Sequence, residues 1–227
     1  AFESASFRKP QGVALHGSTL YIADTENHLI RMADLEKKAV TTVAGTGKQY
    51  TIPFPGVSES MRIDELPERY VGPALETALG SPWALQIHGK YVYIAMAGPH
   101  QIWRMPLEGG VVELYAGNGR EDIIDGTLTP KRPYELGYSS FAQPSGLATD
   151  GKSLFVVDSE GASIRSVPLD GKGKVSTVVG TNKLMFGRLF SFGDADGPAN
   201  KAKFQHPTCL AYADGVIYVA DTYNNKI

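Results

Sequence analysis

Residues 9–47 read KPQGVALHGSTLYIADTENHLIRMADLEKKAVTTVAGTG, and this stretch decides the fold. It contains four short runs rich in β-branched and aromatic residues, which are GVALH, TLYIAD, HLIRMAD and VTTVAG. Turn residues such as Gly17-Ser18 and Glu26-Asn27 separate these runs. Each run is too short for a helix, and this composition is typical of β-strands. The stretch therefore predicts four consecutive antiparallel strands.

The same pattern returns three more times along the chain. Segments like KPQGVAL recur as SPWALQI, QPSGLAT and HPTCLAY, and their prolines are spaced by 72, 62 and 63 residues. Asp24 is matched at Met96, Asp158 and Asp221 with the same spacing. Because independent landmarks share these steps, the chain is built from an internal repeat. Four strands in so long a period favour blades of a β-propeller over a β-helix or a sandwich.

The repeat predicts an all-β fold made of four-stranded antiparallel blades. The expected spans are about 7–47, 79–119 and 141–181 for three blades, and about 204–227 for a partial fourth. The links between them are residues 48–78, 118–140 and 181–203. Links of this length are uncommon in compact domains unless they are functional or disordered. The second-to-third turns emerge on the same face as the links, so we expect the interaction surface there.

Bulk composition excludes some partners. The chain is 42% hydrophobic and 20% charged, with a formal net charge of −2 and a sequence pI of about 6.2. This charge gives no overall attraction to nucleic-acid phosphates or anionic membranes. No apolar run approaches the ~20 residues of a membrane-spanning helix. The compartment is unresolved, and a soluble, cytoplasmic protein is the default expectation.

The single cysteine is Cys209, in the apolar run TCLAY. One cysteine cannot form an internal disulfide, so cysteine usage does not indicate a redox compartment. A cysteine among apolar neighbours usually behaves as a small buried hydrophobic residue. We therefore expect Cys209 to be buried and inert.

The repeated motifs resemble the NHL-repeat family, with a Pro-x-Gly leading strand, then YIADTENHLIR, then V-x-T-V-A-G-T-G. The loops YAGNGREDIIDG and FGDADGPANKAKFQHP are most similar to those of the NHL propeller in proteins that join a thioredoxin-like domain to NHL repeats. The resemblance implies a ring of six blades, of which this chain holds about three and a half. It also implies that the propeller supplies a docking surface for a redox partner domain.

A partial ring would expose open blade edges and apolar blade faces, which favours aggregation or pairing. Either the chain is a fragment of a longer protein, or two copies associate through these edges. We expect a fragment. The thioredoxin-like domain itself is not expected within these residues, because they contain no Cys-x-x-Cys motif.

An acidic and a basic residue recur seven positions apart. Asp24 precedes Arg31 in the first unit, whereas the second unit has Met96 and Trp103 at these positions. Such joint replacement is expected of two charges that contact each other away from water, since removing one leaves the other buried at a cost of ~3–5 kcal/mol. The predicted ion-pair residues are Asp24, Arg31, Asp158, Arg165 and Asp221, and the apolar replacements are Met96 and Trp103. Pairing with an aspartate of the adjacent blade is an alternative, and metal binding or general-base chemistry is the functional alternative.

The links combine aromatic residues with arginines, which is the composition that protein interfaces favour at their hot spots. The alternative is that these side chains seal the gaps between blades. The candidate binding residues are Trp83, His100, Tyr134 and Arg120.

Catalytic chemistry has little support in the sequence. His28 and His100 share one repeat position, but Ala162 and Asn225 occupy it in the other units, so no histidine ring is expected. Histidines in hairpin turns are usually exposed, and metal ligation there is not expected. The innermost strands begin with poor metal ligands, which are Gln11, Trp83, Ser145 and Thr208. We predict no catalytic residue, no metal and no cofactor.

The sequence therefore favours a non-catalytic scaffold that binds a protein partner or another domain of the same protein. Some NHL-like propellers are metal-dependent lyases or lactonases, which is the first alternative. The second alternative is an RNA-binding module, which would require a basic face. Lysines and arginines are dispersed along this chain, so a nucleic-acid partner is not expected, nor is a membrane.

Overall fold

The computed structural model describes residues 2–180 and 191–227. Residues 181–190, which begin the predicted link 181–203, lie outside the described residues. The described part contains strands and four short 3-10 turns, at Phe2–Ser4, Thr25–Asn27, Ile63–Glu65 and Thr222–Asn224. The predicted all-β class is confirmed.

Sixteen strands form four antiparallel sheets in the described residues. The first sheet has the order β1-β2-β3-β4, with β1 Val13–His16, β2 Thr19–Asp24, β3 Leu29–Asp34 and β4 Ala39–Ala44. The second has the order β5-β9-β8-β7-β6, with β5 Val71–Pro73, β6 Pro82–His88, β7 Tyr91–Met96, β8 Gln101–Pro106 and β9 Val111–Ala116. The third has the order β10-β14-β13-β12-β11, with β10 Gly126–Thr127, β11 Pro144–Thr149, β12 Ser153–Asp158, β13 Ser163–Pro168 and β14 Lys174–Gly180. The fourth pairs β15 Cys209–Ala213 with β16 Val216–Ala220.

These sheets confirm antiparallel blades, three with at least four strands and one partial. The links contribute more than the sequence indicated, because β5 and β10 add a short fifth strand to the second and third sheets. Cys209 corrects a second expectation, since it is exposed rather than buried. Successive side chains of a strand point to opposite faces. Leu210 takes the buried face of β15, which leaves Cys209 on the other face.

By its contacts the chain forms two compact units, of which the first comprises Ala1–Gly98 and Ile102–Leu114. Its core contains buried residues from both of its sheets, including Tyr21, Ile30, Ile94 and Trp103. The Tyr21 hydroxyl donates to the Leu107 carbonyl at 2.8 Å. The leading strands also come close together, because a Cβ placed on Gly12 would lie 2.5 Å from the Trp83 carbonyl oxygen. Glycine at position 12 therefore permits this approach.

The second unit comprises Pro99–Gln101 and Tyr115–Ile227. A core cluster of this unit contains Ala148, Phe155, Val157, Ile164 and Leu210. The Phe155 ring stacks on the Tyr212 ring with centroids 5.6 Å apart. Gly146 occupies the repeat position of Gly12 and faces Cys209, whose Cα would lie 3.0 Å from a Cβ at Gly146.

Each repeat fixes its leading segment against its second-to-third turn. The turn donates a backbone N–H to the carbonyl eighteen residues earlier in all four units, and these bonds are Glu26 to Arg8, Gly98 to Gly80, Glu160 to Ala142 and Tyr223 to Gln205. The residue before the leading proline has a positive φ in every unit, at Lys9, Ser81, Gln143 and His206. The last turn residue does so too, at His28, His100, Ala162 and Asn225. The repeat thus dictates backbone geometry as well as strand order.

Candidate interaction site

The three repeat aspartates are buried and hold the leading segments. In each, Oδ1 accepts the backbone N–H sixteen residues earlier, with distances of 2.7 Å for Asp24 to Arg8, 2.6 Å for Asp158 to Ala142 and 2.7 Å for Asp221 to Gln205. A carboxylate that accepts a backbone N–H stabilises that segment by a charge-assisted hydrogen bond. Met96 cannot accept such a bond, and both Met96 and Trp103 are fully buried.

The first acidic–basic pair is local. Arg31 Nη1 lies 3.3 Å from Asp24 Oδ2, which also accepts from Asn27 Nδ2 at 2.9 Å. The Arg31 guanidinium lies over the Phe7 ring, 5.5 Å from its centroid. In the fourth unit, Asp221 Oδ2 accepts from Asn224 Nδ2 at 2.7 Å, which matches the contact of Asn27.

Arg165 makes a wider set of contacts. Its Nη1 lies 3.1 Å from Asp158 Oδ2 and 3.0 Å from the Ser140 carbonyl oxygen. Its Nη2 donates to the Ile124 carbonyl at 3.0 Å and to Asp125 Oδ1 at 2.9 Å. Complete burial raises the pKa of Asp158 to about 6, although the positive charge of Arg165 opposes this rise. Arg165 therefore anchors the link 118–140 to the third sheet.

Asn118 organises the beginning of the same link. It is only 2% exposed, and its backbone carbonyl oxygen accepts the backbone N–H of Tyr134 at 3.0 Å. Its side chain accepts the Arg120 N–H at 3.0 Å and donates to the Glu135 carbonyl at 2.9 Å. Two predicted binding residues, Arg120 and Tyr134, are therefore held by one buried side chain and its backbone.

Residues 130–137, here called the Tyr134 turn, present apolar side chains to solvent. Glu135 Oε2 accepts the backbone N–H groups of Lys131 and Arg132, both at 3.1 Å, which closes the turn. Tyr134 is 43% exposed and Leu136 is 72% exposed. Tyr134 has a φ of 61°, a left-handed conformation that costs a non-glycine residue roughly 1–2 kcal/mol. The surrounding hydrogen bonds maintain this conformation.

The other two candidate binding residues lie elsewhere. Trp83 is half-buried on β6 and belongs to the first unit. His100 is half-buried rather than exposed, and its Nδ1 accepts the Gln143 N–H at 3.2 Å. Burial lowers the pKa of His100, while the nearby Glu121 raises it to a smaller extent. The structure thus joins Arg120 and Tyr134 in one substructure that includes neither Trp83 nor His100.

Sequence reasoning missed Asn118, Leu136 and the anchoring contacts of Arg165. The Gly-Asn-Gly run at 117–119 was a usable signal for Asn118, since such runs are typical of turns. Leu136 gave no signal, because its exposure depends on how the link folds back. In residues 2–180 and 191–227 there is no group of three His, Cys, Asp or Glu side chains that could hold a metal. The same residues contain no helix with the length and apolarity to cross a membrane.

Known proteins contain the same kind of repeat. The NHL repeat family model matches residues 204–227. NHL repeat-containing protein 2 of Gallus gallus is 37% identical over 243 residues, covering 100% of this chain. This chain belongs to the NHL-repeat family. The NHL chain covers 31% of that relative's length.

One further relative and one solved structure are also similar to this chain. The NHL chain is 37% identical to Protein SUPPRESSOR OF QUENCHING 1, chloroplastic, of Arabidopsis thaliana, covering 100% of the chain and 20% of that protein. A solved structural genomics protein of unknown function from Bacteroides thetaiotaomicron aligns with a TM-score of 0.65 and 21% identity. That alignment covers 96% of the NHL chain and 46% of the solved chain. This structural likeness supports the β-propeller fold and nothing about activity.

Proposed function

We propose that this NHL chain is a non-catalytic scaffold that binds a protein partner, or another domain of the same protein, through the Tyr134 turn. The observation that carries the proposal is the exposure of Tyr134 and Leu136 on a turn held by the buried Asn118. An interface built on an ordered turn loses less conformational entropy on binding than one built on a mobile loop. Tyrosine is also enriched among residues that dominate binding energy.

The charges near the turn support a partner of defined chemistry. Arg120, Lys131 and Arg132 have exposed side chains. The Glu135 carboxylate accepts two backbone N–H groups, so part of its charge is compensated within the turn. An interface core is usually apolar with a polar rim, and complementary charges at the rim raise association rates. The partner surface that we propose is therefore apolar at its centre and acidic at its edge.

Site-specific photo-crosslinking tests the proposal. A photoreactive amino acid replaces Leu136 in the full-length protein, in its own cells, and crosslinked species are identified by mass spectrometry. Leu35 is the matched control, because it is 42% exposed and lies in the turn between β3 and β4. We expect one defined protein adduct, or an adduct within the same polypeptide, at position 136 and not at 35.

The same adduct must depend on Tyr134. Replacing Tyr134 by alanine should weaken binding of the identified partner at least tenfold, because aromatic anchors commonly contribute more than about 1.4 kcal/mol. Equal adducts at positions 35 and 136, or an adduct with RNA alone, would contradict the proposal. So would unchanged affinity of the Tyr134→Ala variant.

A further inference from the structure

Two histidines at one repeat position make the same unusual contact. His28 Nδ1 accepts the backbone N–H of Ser81 at 3.1 Å, and His100 Nδ1 accepts that of Gln143 at 3.2 Å. Ser81 and Gln143 each precede the proline that begins a leading strand. A histidine at the end of one turn thus holds the leading segment of the following repeat, and each of these contacts lies within one compact unit.

The contact requires an unprotonated ring nitrogen. A neutral imidazole can accept at Nδ1 while it carries its proton on Nε2, whereas an imidazolium donates from both nitrogens and cannot accept. A backbone N–H is always a donor. Protonation therefore removes the hydrogen bond and places two N–H groups against each other.

The backbone at both ends of the contact is unfavourable on its own. Ser81 and Gln143 have φ values of 47° and 74°, and His28 and His100 have 53° and 57°. Left-handed conformations cost residues with a side chain roughly 1–2 kcal/mol each. The hydrogen bond joins two such residues, so its loss weakens a segment that is then held only by its backbone bonds to the turn of its own repeat, such as Ala97 to Ser81 and Ser159 to Gln143.

We propose that His28 and His100 are pH-sensitive ties, and that their protonation loosens the leading segments at Ser81 and Gln143 while the sheets remain folded. The second and third strands do not depend on these contacts, since their ladders are formed between backbone groups. Loosened segments would make the surface next to the second-to-third turns more mobile. The device would thus couple mild acid to the conformation of that surface.

Charged neighbours modulate the two ties differently. Burial lowers the pKa of His28, Arg8 lowers it further, and Glu26 raises it. Glu26 is itself paired with Arg8 and Lys9. Burial likewise lowers the pKa of His100, and Glu121 raises it. Both ties are therefore formed at neutral pH, and both are lost as the pH falls below the usual histidine range near 6.5.

The chain supplies its own control positions. Asn225 occupies the same repeat position in the fourth unit with a φ of 55°, so asparagine fits this backbone. An asparagine side chain can accept through its carbonyl oxygen but does not titrate. His100→Asn should therefore retain a tie that ignores pH, whereas His100→Ala removes the tie at every pH.

Hydrogen exchange of the full-length protein tests the proposal, read on short peptides that contain Ser81, Gln143 or, as a control for the sheets, residues 154–157 of β12. The protection factor, which corrects for intrinsic exchange, should fall roughly two- to tenfold at Ser81 and Gln143 between pH 7.5 and 5, as expected for the loss of one hydrogen bond. Protection at residues 154–157 of β12 should stay constant, because their hydrogen bonds join backbone groups. In His100→Asn the Gln143 peptide should lose its pH dependence while the Ser81 peptide keeps it.

Constant protection of both segments in the unmodified protein would overturn the proposal. An equal fall at residues 154–157 of β12 would also overturn it, because that result indicates general acid unfolding. If His100→Ala does not fold, the unmodified protein and His100→Asn still decide the question. The outcome is independent of whether a partner binds the Tyr134 turn.

Discussion

At the scale of single residues, Arg31 and Arg165 occupy one repeat position but support different amounts of structure. Arg31 contacts its own repeat through Asp24 and Phe7. Arg165 contacts Asp158 in its own repeat and also Asp125 in the link. The aspartates are comparable, since each also accepts a backbone N–H sixteen residues earlier. A difference in stability between variants of the two pairs therefore measures how much the link contacts of Arg165 contribute.

Copying the apolar pair of the second unit into the other units tests this difference. Replacing only Arg31 or only Arg165 by tryptophan should cost about 3–5 kcal/mol, because a buried aspartate loses its cation. The double variant Asp24→Met/Arg31→Trp should recover most of that cost. Asp158→Met/Arg165→Trp should remain less stable than the unmodified chain, because the contacts of Arg165 with the link are lost in the single and in the double variant. Urea unfolding of all four variants measures the cost that each double variant retains, and equal retained costs in the two units would contradict the anchoring role.

At the scale of elements, close packing between leading strands depends on glycine. A Cβ at Gly12 would lie 2.5 Å from the Trp83 carbonyl oxygen and 2.8 Å from the Ala84 Cα, and backbone atoms cannot yield easily. At Gly146 the nearest atoms would be 3.0–3.1 Å away, so smaller shifts suffice. Neither glycine has a positive φ, and steric overlap alone separates them. The two leading strands thus differ in how closely the next strand approaches.

We expect Gly12→Ala to lower the free energy of unfolding by about 1–3 kcal/mol, the usual range for overpacking. Gly146→Ala should cost less than about 1 kcal/mol, because the overlap is a few tenths of an ångström. Urea midpoints of the two variants, compared with the unmodified chain, provide the measurement. A larger effect at Gly146 than at Gly12 would show that backbone approach does not control the cost.

Elements also show what the sequence could and could not predict. The long-period repeat of β-branched runs predicted the strands, because four strands in each unit share one hydrophobic pattern. It could not predict β5 and β10, whose residues VGP and GT carry no strand pattern and pair only because the links fold back. The replacement of both charges in the second unit identified the positions of Asp24 and Arg31 as a predicted ion pair. The sequence pointed to Tyr134 and Arg120 but not to Asn118 and Leu136, because the roles of these two residues depend on tertiary contacts.

At the scale of the whole molecule, buried titratable groups change the free energy of unfolding in opposite directions as the pH falls. The pKa values of His28 and His100 are lowered by burial, so the unfolded chain binds protons first and stability falls as the pH drops below about 6.5. The pKa of Asp158 is raised to about 6 from an ordinary 3.8, so the folded chain binds that proton first. Asp158 therefore offsets part of the loss as the pH falls through 6.

Two variants separate these contributions. In the double variant His28→Asn/His100→Asn, the free energy of unfolding should fall less between pH 7.5 and 5.5 than in the unmodified chain, because both titrating ties are gone. In Asp158→Asn it should fall more, because the compensating proton uptake is gone. Urea unfolding at the two pH values gives both differences. Parallel pH curves for all three proteins would show that other groups control acid stability.

The anchoring of the link by Arg165 limits how freely repeats of this chain can be exchanged. A unit transplanted from the first position to the third would bring its own aspartate and arginine, yet Arg31 contacts Phe7 and Asp24 of its own repeat. The recipient's Asp125 and Ser140 would then require a guanidinium placed to meet them. Shuffled or averaged designs should therefore move each repeat together with the segment upstream of it, so that the modular unit extends beyond the sheet.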